Sequence, residues 1–206
     1  MLTVWGRNNS VNVQKVMWTV AELELPHERI DVGRQYGGLD APEFLAMNPN
    51  GRIPTIDDGG TIVWESNAVV RYLAAKYGAS GLWPEGAAQR ARADQWMDWM
   101  VTVIAPHLIP VFVSLIRTPP EERNDAAIAA SAELMSDGWR ILDAHLADTP
   151  FVAGEALTMG DIPVGCACYR YYALDIPHPD MPHLTAWYDR LQARDGFREH
   201  VMIALS

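Results

Sequence analysis

Cysteine is scarce in this chain. Among 206 residues it occurs only as Cys166 and Cys168. Two positions apart on a helix, they point roughly 200° from each other and cannot bridge one another. They do not form a CxxC redox pair either, and read as two buried, reduced thiols. Basic residues are outnumbered, since 16 Lys and Arg face 26 Asp and Glu for a formal charge of −10. With no Lys/Arg cluster to neutralise phosphates, nucleic acid is not an expected partner. Long apolar runs are missing too. The longest, residues 100–110, is interrupted by Pro106, His107 and Pro110 and is shorter than a bilayer span, so no membrane is expected. The first residues, Met1-Leu2-Thr3-Val4-Trp5, carry no basic leader, which makes the cytoplasm the expected residence. His27, His107, His145, His178, His183 and His200 show no HExxH or His/Cys ligand spacing, and no glycine-rich phosphate loop occurs. No metal is expected.

What is present is ample core material: 49% hydrophobic residues, eight Trp and nine Met. That suffices for one large domain or two small ones. Residues 1–78 alternate in type. A strand at 2–6 is followed by a helix at 11–25 with Val13, Val16, Met17, Val20 and Leu23 on one face. A second strand at 28–32 and a short helix at 41–47, opened by Asp40 and Pro42, come next. Two strands then flank the hairpin turn Asp57-Asp58-Gly59-Gly60, and a helix carries Val69, Val70, Leu73, Ala74 and Tyr77. The order βαβαββα is that of an α/β thioredoxin-like domain. Residues 79–88, with Gly81, Pro84 and Gly86, read as a linker. Residues 89–206 read as an all-α C-terminal helical domain. Its long first helix, 90–117, should kink at Pro106 and Pro110. A new helix starts at Pro119-Pro120, with Ile128, Ala132, Met135, Trp139, Leu142 and Leu146 in three- and four-residue steps. Thr158-Met159-Gly160-Asp161 is a capping box opening a helix to about residue 174, and helices at 182–194 and 196–205 follow.

The most informative segment is Arg52-Ile53-Pro54-Thr55-Ile56, with Glu65-Ser66-Asn67 beginning nine residues after Ile56. A proline inside a strand removes a ladder hydrogen bond. A cis Ile53–Pro54 peptide would turn the Ile53 N–H and C=O outward to pair with an extended peptide. Ser66, at the start of the next helix, is an expected N-cap where free amides attract a carboxylate. A backbone-pairing edge beside an anion site suits a small acidic peptide. In ordered spacing across nearly the whole chain, these residues, the run Asn48-Pro49-Asn50-Gly51 before them and the Thr158…Asp161 box resemble the glutathione S-transferase superfamily.

The resemblance implies a bacterial-type glutathione transferase, a homodimer with glutathione as co-substrate and a small hydrophobic electrophile or disulfide as the second substrate. The family places a thiol-activating donor just after the first strand. This chain has neither Tyr nor Cys there, but Gly6-Arg7-Asn8-Asn9-Ser10-Val11-Asn12. Ser10 matches the Ser/Thr position, with Asn12 and Asn9 as alternative donors and a backbone amide as a further one. Glu65 and Ser66 resemble the pair that holds the γ-glutamyl end. Ile53 and Pro54 form the peptide edge, and Arg52 can pair with the glycyl carboxylate. Gln35 and Asn48 are further contacts. Trp5, Tyr36, Trp99, Val103, His107, Val111 and Tyr169 are expected walls of the second-substrate pocket. Other activities left open are a glutathione-dependent disulfide reductase or peroxidase, an isomerase, a dehalogenase, and a non-catalytic association module of the same fold.

Overall fold

The computed structural model describes residues 1–78 and 81–206. Ala79 and Ser80, at the start of the expected linker, lie outside the described residues. The first half runs β1 (Leu2–Trp5), α1 (Val11–Glu22), β2 (His27–Ile30), α2 (Pro42–Met47), β3 (Thr55–Asp58), β4 (Thr61–Trp64) and α3 (Ser66–Tyr77). The expected α/β order is therefore present. The sheet order is β2-β1-β3-β4, with β1 parallel to β2 and antiparallel to β3. Leu2, Val4 and Ile56 point into a core closed by Val13, Val16, Val69 and Leu73 of α1 and α3. The β3–β4 turn is Gly59-Gly60, both at positive φ (62° and 94°), the backbone that a two-residue hairpin of matching twist requires.

Several boundaries differ from the sequence expectation. Helix α1 ends at Glu22, because Leu23 caps it and Glu24 turns left-handed at φ 52°. Ala41, not Asp40, caps α2. Pro54 lies just before β3 rather than within it, and the Ile53–Pro54 peptide is cis. Asp58, at the end of β3, is buried. It accepts hydrogen bonds from Tyr72, Tyr77 and Lys76 of α3 at 2.9, 2.9 and 2.7 Å, which pin that helix to the sheet.

The second half is helical: α4 (Ala87–Trp99), α5 (Ala105–Arg117), α6 (Asp125–Leu146), α7 (Asp161–Ala173), α8 (Pro182–Gln192) and α9 (Asp195–His200). Its only strand-like feature among the described residues is an isolated bridge between Phe151 and Gly154. The disturbance expected at Pro106 and Pro110 takes the form of a π-helical stretch, Met100–Ile104, that joins α4 to α5 just before Pro106. Helix α6 does not start at Pro119-Pro120, which lead into a short 3₁₀ turn. It starts at Asp125, where Asn124 Oδ1 accepts the Ala127 amide at 3.0 Å. The helical run Ala87–Arg117 is 31 residues long with a mean hydropathy of 2.0 in its most apolar window. By length and composition it is long enough to cross a membrane, unlike the shorter run read in the sequence. Here it packs against α6 and α7.

The two halves share a core. Trp18, Val70 and Ala74 of the first half belong to the apolar cluster of the second. Gly165 of α7 approaches α1 so closely that an added Cβ would sit 2.9 Å from the Trp18 ring. Arg71 of α3 reaches Asp94 and Asp98 of α4 at 2.6 and 2.8 Å. As a result α1 is covered on both sides, and every residue from Val13 to Val20 is buried, including Gln14, Lys15 and Thr19.

Candidate active site

Two cavities meet along the edge where α1 and α3 begin. The smaller, about 80 Å³, is lined by Asn12, Asn48, Asn50, Arg52, Ile53, Pro54, Glu65 and Ser66. The larger, about 610 Å³, extends from Asn12, Lys15, Glu65, Ser66 and Asn67 to an apolar wall that includes Val11, Val101, Ala105, Leu108, Ile109 and Ala167. Asn12, Glu65 and Ser66 line both.

Local backbone explains why these groups converge. Glu65 adopts φ 67° at the β4–α3 junction and is itself the cap residue of α3, so Ser66 is the first helical residue and not the expected N-cap. The Ser66 hydroxyl donates to Asn12 Oδ1 at 3.3 Å and accepts from Lys15 Nζ at 3.4 Å. Lys15 Nζ also reaches Asn67 Oδ1 at 3.4 Å. Asn48 is committed to its own loop. It donates to Arg52 O at 2.8 Å and Thr55 Oγ1 at 3.0 Å, and accepts the Asn50 amide at 3.1 Å. Arg52 is exposed at the rim of the small cavity.

Ser10 precedes α1 in extended conformation (φ −85°, ψ 123°), and its side chain makes no capping bond. It lines neither cavity, whereas Asn12 lines both. Asn9 is occupied: its Oδ1 accepts from Arg7 and its carbonyl from Arg170, each at 3.1 Å. Gln35 and Tyr36 are exposed on a 3₁₀ turn (Arg34–Tyr36) and line neither cavity.

The expected second-substrate residues are dispersed. Val111 is fully buried in the helical core, Trp99 stacks edge-on between Trp96 and Trp139, and Val103 abuts Gly138 of α6. The Tyr169 hydroxyl donates to Ile203 O at 2.7 Å, and Trp5 and His107 are half-buried away from both cavities. The apolar wall comes from the opposite face of the same helical run, at Val101, Ala105 and Ile109. Sequence reasoning also missed Lys15, and quoted Asn50 and Asn67 within their segments without giving either a place in the site. A lysine at the centre of an apolar helix was the available signal for the first.

The site is electrostatically uneven. Burial pushes the Lys15 ammonium down to about 8, and Arg170 down to about 10. The Cys166 thiol nearby is pushed up to about 12, again by burial, and so is inert as a nucleophile. Burial also raises the Cys168 thiol well above its ordinary value. No cluster of metal-ligating side chains occurs among the described residues.

A thioredoxin-like domain with a cis-proline edge, joined to a helical domain across a polar-to-apolar double cavity, defines a two-domain transferase fold. The family models agree. Residues 1–75 match "Glutathione S-transferase, N-terminal domain" and residues 125–190 match "Glutathione S-transferase, C-terminal domain". The chain is 44% identical to glutathione S-transferase GstB of Escherichia coli, covering 100% of both proteins. It is 31% identical to glutathione S-transferase 3 of Zea mays, covering 97% of this chain and 93% of that one. The theta-class glutathione S-transferase of Xanthomonas axonopodis pv. citri, solved with glutathione bound, superposes with TM-score 0.95 at 43% identity, covering 100% and 99% of the two chains. The chain belongs to the glutathione S-transferase family. It is a glutathione transferase, and its co-substrate is glutathione.

Proposed function

We propose that glutathione lies extended from the small cavity into the large one, its backbone along Ile53 and its γ-glutamyl group at Glu65 and Ser66. The observation that carries this reading is that Asn12, Glu65 and Ser66 line both cavities. A peptide paired with Ile53 therefore delivers its γ-glutamyl end to the α3 N-terminus, where the helix dipole favours an anion. Arg52, at the rim, pairs with the glycyl carboxylate. The thiolate is held at the N-terminus of α1, where the Ser10 hydroxyl is free of any capping bond and the Asn12 amide is a second donor. The electrophile is small and hydrophobic, in keeping with the apolar wall at Val101, Ala105, Leu108 and Ile109. The role is detoxification in the cytoplasm.

Replacing Ser66 with Ala removes one charge-assisted hydrogen bond. Glutathione affinity should fall by about 1–3 kcal/mol, roughly 5- to 150-fold. Calorimetry with an unchanged dissociation constant would remove the γ-glutamyl group from this position. The protein is further proposed to act as a homodimer. The exposed apolar side chains of Ile62 and Trp64 on strand β4 support this, as apolar surface left in water invites covering. Light scattering at micromolar concentration should give twice the chain mass, and a monomer would refute it.

A further inference from the structure

Among the described residues, Lys15 is a buried cation with no anionic partner. Its side chain is only 5% exposed, yet no carboxylate among the described residues lies within ion-pair distance of its ammonium. Its contacts are two neutral oxygens, Ser66 Oγ and Asn67 Oδ1, both at a long 3.4 Å. Burying an unpaired ammonium is costly, and such groups are normally paired. The surrounding charges do not supply a partner. From α7, Arg170 repels it, and Cys166 stays a neutral thiol. From α3 and α4, Arg71 and Asp98 are engaged with each other at 2.8 Å. Glu65 is exposed and outside ion-pair distance. Lys15 nevertheless lines the large cavity and touches the hydroxyl that marks its floor.

We propose that Lys15 is the counter-ion of the γ-glutamyl carboxylate of glutathione, reaching it from beneath Ser66. The inference rests on the placement of that carboxylate at Ser66 proposed above. A carboxylate accepting from Ser66 Oγ sits within a hydrogen-bond length of an atom that is itself 3.4 Å from Nζ. The ligand thereby completes a buried ion pair that the protein leaves half-built. Burial, with the repulsion from Arg170, holds the free ammonium down to about 8, and the incoming anion raises it again. Well below pH 8 Lys15 is already charged, and binding moves little proton onto it. Above pH 8 the free lysine is increasingly neutral, so binding takes up a proton and affinity declines as pH rises.

The test uses S-methylglutathione, which has no titrating thiol, and its analogue lacking the α-carboxylate, S-methylated γ-aminobutyryl-cysteinyl-glycine. At pH 7, Lys15→Met should weaken S-methylglutathione at least about tenfold and leave the decarboxylated analogue within about twofold. Equal weakening of both ligands, or of neither, overturns the proposal and leaves Lys15 a structural residue. Should Lys15→Met not fold, the native protein decides. Calorimetry at pH 8.5 in buffers of differing ionisation enthalpy should show more proton uptake with S-methylglutathione than with the analogue, and equal uptake overturns the proposal. Ser66→Ala in parallel separates the two claims: if it leaves S-methylglutathione affinity intact, the placement fails, whatever Lys15 does.

Discussion

Around Ser66, in the thioredoxin-like half, polar groups are short of partners, whereas the buried carboxylate of Asp161 in the helical half is saturated. Lys15 holds two oxygens at 3.4 Å, and the Ser10 hydroxyl caps nothing. Asp161, by contrast, accepts from the amides of Val152 and Thr158 at 3.0 and 2.9 Å, from Trp187 Nε1 at 2.9 Å and from Thr158 Oγ1 at 3.3 Å. Both places hold a buried ionisable side chain. They differ in whether the protein itself completes the hydrogen bonding, and that difference separates a scaffold from a site. A finished buried network fixes a unique arrangement of chain. An unfinished one holds capacity for a ligand.

The contrast breaks most visibly if Asp161 proves dispensable. Burial raises its carboxyl above the ordinary range even though four donors offset the cost. In Asp161→Ala those donors remain buried without an acceptor. At about 1–3 kcal/mol for each orphaned group, tempered by local relaxation, the protein should lose about 3–5 kcal/mol of stability. Urea unfolding followed by tryptophan fluorescence reads this directly, with Trp187 a partner of the deleted carboxylate. A loss under 1 kcal/mol would mean that the node is not structural, and the distinction from the Ser66 cluster would dissolve.

Legibility from sequence follows the same division. Ile53-Pro54 and Glu65-Ser66 were readable because each needs an unusual backbone, a strand-edge proline and a sharp strand-to-helix junction, which few residue types satisfy. The αβ order was readable from periodicity and turn residues, and the Thr158…Asp161 box only in part, since α7 starts at Asp161 with Gly160 as its cap. The Asp161 carboxylate does accept the Thr158 amide, but Thr158 Oγ1 accepts from Gly160 N. The apolar wall was not readable. The run through Met100–Ile104 is apolar around its circumference, so periodicity cannot separate the face toward α6 (Val103, Val111) from the face toward the cavity (Val101, 48% exposed, and Ile109, 58%). Lys15 was hidden for a related reason. An amphipathic reading gives α1 one buried face, but tertiary packing covers both.

The finest test of the contrast lies at the sulfur, where the unfinished bonding is smallest. A donor that bonds the thiolate but not the thiol must lower the thiol's pKa. If the free Ser10 hydroxyl does this, Ser10→Ala should raise the bound thiol by roughly one to two units, about 1.4–2.8 kcal/mol. Turnover at neutral pH would drop and partly recover at higher pH, because thiolate regains population there. Glutathione affinity would change less, as the γ-glutamyl contacts are untouched. The α1 N-terminus survives the substitution and still favours the anion, so activity should not vanish. Asn12→Ala is the necessary companion. Its Oδ1 already accepts from Ser66 Oγ at 3.3 Å, which leaves its amide hydrogens free to point into the cavities it lines. Thiolate absorbance titrated in the native protein and both variants separates the donors. A shift confined to Asn12→Ala would move the role from the residue before the helix to the residue within its first turn.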